Sequence, residues 1–239
     1  KHIQNFWKHL QVYKKSQYIL SVDPTLHSIA EVEKIYSFFK NSKIKIDLLK
    51  NNPIDLLWSS QLDPPQSKAF IHDDFFAGES ALGKINKIQK ILEKNFVDYF
   101  VLNSLDSIAW LLNIRGNDID YTPLLFCYLI VPKDGKVELF IDSNKIYPIK
   151  TEIQKIANIK SFENISNYIR NLNSNSTIGF DENYTSYYFK QLSLEKKLKF
   201  KNIENPCLYL KAIKNSTELS GAKSANQRDG VSIIKFLYW

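Results

Sequence analysis

The run Leu105–Ile141 is LDSIAWLLNIRGNDIDYTPLLFCYLIVPKDGKVELFI. Leu105 to Leu112 places its apolar residues at helical spacing and predicts a short helix. Ile114-Arg115-Gly116 turns the chain, with Gly116 expected to take a positive φ. A polar loop, Asn117 to Pro123, follows. Pro123 to Val131 is almost wholly apolar, the pattern of a strand covered on both faces. Pro132-Lys133-Asp134-Gly135 reverses it into Val137 to Ile141, which predicts an antiparallel hairpin. A helix feeding such a hairpin implies an α/β unit with a mixed sheet flanked by helices.

The flanking sequence extends this unit in both directions. Downstream, a helical region spans Ser161 to Leu172, and Thr177 to Phe180 predicts a strand. Thr185 to Leu192 predicts a helix and Leu198 to Ile203 a strand. Upstream, Asp98 to Leu102 predicts a buried strand. A long helix runs from Glu79 to Phe96, with Ile85, Ile88, Leu92 and Phe96 on its inner face. Before Ala69 the pattern breaks at SSQLDPPQSK, Ser59 to Lys68, whose prolines suit neither a helix interior nor a central strand. This predicts a linker, with a domain boundary near residue 65. The segment ahead of it predicts a parallel strand-helix-strand piece: Ile19 to Val22, Ser28 to Phe39, then Lys43 to Leu49. Pro53 opens a short helix in which Ile54, Leu57 and Trp58 can cluster. No short-period repeat is visible, though the two units share a strand-helix logic.

Composition narrows the function classes. An apolar fraction of 44% with 24% charged residues is that of a globular protein with a sizeable core. The longest apolar run, Leu124 to Val131, is far shorter than the roughly twenty residues of a membrane helix, so no membrane partner is expected. The net charge of +7 comes mostly from scattered lysines; the arginines are Arg115, Arg170 and Arg228. Arginine is the usual fork-like reader of phosphates and bases, so a solvated lysine-rich surface is expected rather than a nucleic-acid partner. Cys127 and Cys207 predict buried thiols rather than a disulfide or a metal pair. There is no Gly-x-Ser-x-Gly phrase and no Gly-rich phosphate loop. The histidines are His2, His9, His27 and His72. His72-Asp73-Asp74 looks like a ligand cluster, but contiguous residues rarely aim at one metal. No metal site and no cofactor are expected in this chain. Trp110 is expected in the core.

The last segment carries its own signal. Asn215 or Ser216 can cap a helix, with Glu218 completing a capping box. Leu219, Ala222, Ile233, Phe236 and Leu237 follow at helical spacing up to Trp239. An apolar helix face running to the last residue, and the absence of any methionine, together suggest a fragment of a longer chain.

Two blocks carry a family resemblance. One is Asp106-Ser107-Ile108-Ala109-Trp110-Leu111-Leu112-Asn113-Ile114-Arg115-Gly116 through Tyr128. The other is Asn205-Pro206-Cys207 to Arg228, where Lys211-Ala212-Ile213-Lys214-Asn215 and Glu218 lead into a helix. Ser21-Val22-Asp23-Pro24 is a weaker third. The chain resembles the non-catalytic amino-terminal half of Xaa-Pro aminopeptidases (aminopeptidase P) of the creatinase/prolidase type, over nearly its whole length. The resemblance implies residues 1–65 as the end of amino-terminal domain I and 66–210 as domain II. It implies 211–239 as the lead-in helix of a truncated pita-bread catalytic domain. It also implies a cytoplasmic hydrolase that removes the first residue of peptides with proline in second position. The family's two divalent metals, usually manganese, are held by two aspartates, a histidine and two glutamates. None of those motif positions lies in this sequence, so the fragment alone is expected to be inactive.

On this reading the chain shapes the peptide cleft and is expected to support a homodimer. The cleft-rim candidates are Arg115, Asn117, Asp118 and Tyr121. The alternative for Arg115 is structural, pinning the loop to Asp118 or Asp120. Rival readings of the whole are a creatinase- or prolidase-like hydrolase, or a metal-free binding relative of the same fold.

Overall fold

The computed structural model describes Leu10 and residues 17–239. His2 and His9 lie outside the described residues. The centre is a six-stranded mixed sheet. Its strands are β4 (Tyr99–Leu102), β6 (Tyr128–Pro132), β7 (Val137–Phe140), β8 (Ala157–Lys160), β9 (Thr177–Phe180) and β10 (Lys199–Asn202), in the order β10-β9-β4-β6-β7-β8. The β6–β7 hairpin is antiparallel, as the Pro132–Gly135 turn requires, and β4 runs antiparallel to β6. The pairs β4–β9, β9–β10 and β7–β8 are parallel.

Each face of the sheet has its own core, which is why β4, β6 and β7 are continuous apolar runs. On one face Phe100, Leu129 and Leu139 pack with Ile85, Ile88 and Leu92 of α4 (Ala81–Lys94). Ile108, Leu111 and Leu112 of α5 (Leu105–Leu112) join the same core. On the other face Val101, Ile130, Phe140 and Phe180 pack with α8 (Ile165–Arg170) and α9 (Tyr187–Glu195). Val32, Ile35 and Phe39 of α1 (Ile29–Phe39) enter this second core, so the amino-terminal piece is docked against α9.

That piece is the expected parallel unit: β1 (Ile19–Val22), α1, then β2 (Lys45–Leu48) in register with β1. Ser28 caps α1 in a full capping box with Glu31. The short helix α2 (Pro53–Leu57) follows, but Ile54, Leu57 and Trp58 stay exposed instead of clustering, because no other element covers them among the described residues.

Several expectations need correction. The long helix stops at Lys94; Phe96 is 85% exposed and left-handed (φ 55) because the chain is already turning into β4. The strand expected from Pro123 begins only at Tyr128, since the preceding residues are held in a loop by side-chain bonds described below. Trp110 is half-buried, packed on the rim of the core. The elements α6 (Ser143–Ile146), α7 (Lys150–Ile153), β8 and α10 (Pro206–Ala212) are short and were not expected from the sequence. The final helix, α11 (Ser216–Tyr238), carries the expected capping box of Asn215 and Glu218.

The shared strand-helix logic is an internal repeat. Residues 18–30 match 176–188 without a gap, although only Asp23/Asp181 and Ser28/Ser186 are identical. Each aspartate accepts an amide two residues on, from Thr25 and from Asn183. The copies face each other through reciprocal bonds: Ile29 N–H donates to Thr185 O and Tyr187 N–H to His27 O, each 2.9 Å. Ala30 N–H to Glu182 O and Tyr188 N–H to Pro24 O form a second reciprocal pair. Each copy then runs strand, helix, parallel strand and an Asn-Pro-initiated helix, with Asn52 and Asn205 as the caps.

Candidate functional site

The loop after α5 is built from its first residue. Asn113 ends α5 in the left-handed conformation (φ 52, ψ 42), which asparagine tolerates better than most residues. Its side chain accepts from Lys84 Nζ at 2.7 Å and donates to Asp74 Oδ1 and Glu79 O, both at 2.9 Å. Lys84 is 2% exposed; it also donates to Trp110 O at 2.9 Å and stands 4.7 Å above the Trp110 ring. Burial pulls the Lys84 ammonium below the usual lysine range, with Glu218 and Glu79 opposing.

Arg115 is half-buried on β5 (Ile114–Arg115), which pairs antiparallel with β3 (Phe70–Ile71). Its Nη1 donates to Ala109 O at 2.6 Å and Ile114 O at 2.9 Å, so it ties the loop back to α5 rather than to Asp118 or Asp120. Burial lowers its pKa. Gly116 is not left-handed; its hydrogen is needed because a Cβ there would overlap the buried Leu125 side chain. The positive φ falls on Asn113 and Tyr121 instead.

Asp118 is the anchor of the loop. Its carboxylate is 0% exposed and bonds Lys145 Nζ at 2.6 Å, itself 4% exposed at the side chain. It also accepts from Phe126 N–H and Ser67 Oγ, both at 2.7 Å. Burial alone would raise its pKa, but Lys145, the Phe126 amide and Ser67 hold it below the usual carboxylate range. Ser67 Oγ in turn accepts from Asn117 N–H at 2.9 Å, so the end of the Ser59–Lys68 segment is fastened to the loop. Asn117 is exposed, and Tyr121 is left-handed (φ 60) with its ring fully in solvent. Of the four candidates, then, Asp118 faces inward, Arg115 packs under the loop, and Asn117 and Tyr121 are on the surface. Lys84 and Lys145 escaped the sequence reading. The only hint was a lysine beside Ile85 on the apolar stripe of α4.

The residues His72-Asp73-Asp74 diverge. Asp73 caps α3 (Asp74–Ala77), Asp74 bonds Asn113, and His72 stacks on Phe76 at 6.1 Å between centroids. Burial and the charges of Arg115 and Lys84 keep His72 below its usual range. Among the described residues no three His, Cys, Asp or Glu side chains are grouped to hold a metal ion. Cys127 and Cys207 are buried free thiols pushed up to about 12 by burial, so neither supplies a thiolate near neutrality. A groove of ≈1000 Å³ opens between α3 and the start of α11, with His72, Phe75, Phe76 and Glu218 on its walls. Asn215 donates to Ala77 O at 2.8 Å, which ties the start of α11 to the end of α3. No helix among the described residues is long and apolar enough to cross a membrane.

Residues 60–218 match the creatinase/prolidase N-terminal domain, and the chain belongs to that family. Curated relatives share its sequence across most of its length. The "Probable Xaa-Pro aminopeptidase P" of Sordaria macrospora is 34% identical over 92% of this chain. Its counterpart in Neosartorya fischeri is 31% identical over 92%. "Xaa-Pro aminopeptidase 1" of Dictyostelium discoideum is 33% identical over 84%. The chain spans 38%, 35% and 32% of those relatives respectively, about a third of their length. The crystal structure of an X-prolyl aminopeptidase from Caenorhabditis elegans, described as a cytosolic enzyme with a di-nuclear active site, superposes with a TM-score of 0.88. That match covers 96% of this chain and 38% of the other at 23% identity, and shows that the two share a fold.

Proposed function

We propose that this chain is the non-catalytic amino-terminal portion of a metal-dependent Xaa-Pro aminopeptidase. The whole protein would remove the first residue of peptides with proline in second position. The observation that carries this reading is similarity over 92% of the chain to relatives bearing that name. Residues 1–65 end a first domain, 66–210 form a second, and 211–239 lead into the catalytic domain. That domain would hold two divalent metals, in the first instance manganese. On this reading the catalytic side chains belong to that domain. The cytosolic description of the nematode enzyme supports a cytoplasmic location.

The task of this portion is to wall the substrate cleft. Asn117 and Tyr121 stand on a loop whose shape is fixed from below by Asp118 and Lys145. A fixed loop narrows access without losing entropy when peptide arrives. A homodimer through this portion is part of the same proposal.

The test uses the chain continued along its own reading frame. It should release the first residue of an Xaa-Pro peptide, lose that activity to a chelator, and ignore the same peptide with alanine in second position. Residues 1–239 alone should show background only. Metal-dependent turnover by residues 1–239, or equal turnover of the alanine peptide, would overturn the reading.

A further inference from the structure

Residues 67–78 run as one strap from the loop after α5 to the start of α11. At the first end Ser67 Oγ donates to Asp118 at 2.7 Å and accepts from Asn117 N–H. Ala69 N–H donates to Lys145 O at 2.9 Å, so both partners of the Asp118–Lys145 ion pair touch the strap. β3 then pairs with β5, placing Phe70 opposite Arg115 and Ile71 opposite Ile114. At His72 the strap meets Asn113, whose carbonyl accepts His72 N–H at 2.8 Å and whose amide donates to Asp74 Oδ1 at 2.9 Å. Asp73 caps α3, and the carbonyl of its last residue, Ala77, accepts from Asn215 Nδ2 at 2.8 Å.

Asn215 has two tasks. Its Oδ1 accepts Glu218 N–H at 2.9 Å and so caps α11. Its Nδ2 holds α3, and the fit is close: a Cβ on Gly78 would lie 2.5 Å from Asn215 Oδ1. Gly78 is left-handed (φ 69), a conformation glycine adopts without steric cost. No residue of α11 is buried, so the polar contacts of its first turn, rather than an apolar face, seat it. Asn113 is the opposite case: it is 3% exposed, and its side-chain bonds to Lys84, Asp74 and Glu79 O leave it one position.

We propose that Asn215 and Asn113 are positioning residues: through the strap they transmit the seating of α11 to loop 117–126, and so set how tightly the cleft holds peptide. This rests on the proposed function, in which that loop walls the cleft and α11 leads into the catalytic domain. A chain of hydrogen-bonded short elements carries a displacement because each link has one satisfied geometry. A shift of about 1 Å in a positioning group is enough to change how a substrate is held. A strap that only held the fold together would add stability without separating peptide affinity from turnover.

In residues 1–239, Asn215→Asp keeps the capping oxygen and removes the donor to Ala77 O. Hydrogen exchange of Phe126 N–H, which Asp118 holds, should speed up about tenfold, while Ile203 N–H, held by Phe180 O, is unchanged. Asn113→Gly keeps the left-handed turn without the amide and should act at Phe126 in the same direction. The double variant should exchange no faster at Phe126 than the faster single one, because both cut one strap. In the chain continued along its own reading frame, Asn215→Asp should raise KM for an Xaa-Pro peptide about tenfold with kcat within about twofold. Unchanged Phe126 exchange in Asn215→Asp, equal acceleration at Ile203, or single effects that multiply in the double variant overturn the strap. An unchanged KM, or a fall in kcat alone, overturns the peptide-positioning role. Absence of Xaa-Pro turnover in the unsubstituted longer chain overturns the peptidase reading and the cleft role with it, while the exchange results decide the strap separately.

Discussion

Lys84 and Lys145 are buried ammonium groups of one domain, and they are satisfied in opposite ways. Lys145 meets a carboxylate, Asp118, that itself collects an amide and a hydroxyl. Lys84 meets neutral acceptors, Trp110 O and Asn113 Oδ1, with the Trp110 ring beneath it. The carboxylates that favour its charge, Glu218 and Glu79, make no ion pair with it. The first arrangement fixes a loop. The second joins α4, the end of α5 and, through Asn113, the start of α3, at the cost of holding a charge out of water without an ion-pair partner. A buried cation is therefore no single motif: its consequences depend on whether its partner also carries charge.

Removing Lys145 should have the largest effect. Lys145→Met leaves the Asp118 carboxylate buried without its cation, which should cost about 3–5 kcal/mol in urea unfolding. Replacing both, Lys145→Met with Asp118→Leu, should recover much of that loss. A single substitution costing no more than a surface change would break the contrast. Lys84→Met should cost less, about 1–3 kcal/mol, because it orphans two neutral acceptors but also relieves the desolvated charge. If Lys84→Met proved the more damaging of the two, the ranking would fail.

Arg115→Ala should follow at about 1 kcal/mol, since Ala109 O loses a charged donor at a half-buried position. In the longer protein, stability and turnover should fall together. Lost turnover with unchanged unfolding would instead put Arg115 at the cleft.

The smallest effects are in pH dependence, and they have opposite ends. Asp118 is held below the usual value of about 3.9, so the unfolded chain binds its proton first on acidification. Its contribution is complete above that value and is lost as pH falls through the folded value. Lys84 is held below the usual value of about 10.4, so its penalty is present below the folded value and disappears as pH rises toward the unfolded one. Asp118→Asn should flatten the acid limb of stability against pH, and Lys84→Met the alkaline limb. Unchanged limbs in both would remove the electrostatic distinction.

Much of the architecture was legible because its causes are local. The α5 helix, the Pro132–Gly135 hairpin and the Asn215–Glu218 capping box depend on residues a few positions apart. The loop was legible as a loop, but not its wiring. Asp118 looked like a surface residue in a polar run, yet its partner is 27 residues away and its hydroxyl donor 51. Gly116 looked like a turn glycine, whereas the reason for it is the Leu125 side chain across the loop. The repeat was faint because, between residues 18–30 and 176–188, only the Asp and Ser that organise the turn are kept, while the packing residues there differ.

The sequence by itself determined the main helices and strands of the sheet unit, the Pro132–Gly135 hairpin, and the family resemblance carried by the Asp106–Tyr128 block. Periodicity and capping are chemistry between near neighbours, and near neighbours are what a sequence records. Only the tertiary structure decided which lysines are buried, which aspartate faces inward, and that Ile54 stays exposed where its equivalent Cys207 is buried. Those outcomes come from burial and from contacts between distant residues, where the free energy of a charge or an apolar face is set by what folds over it.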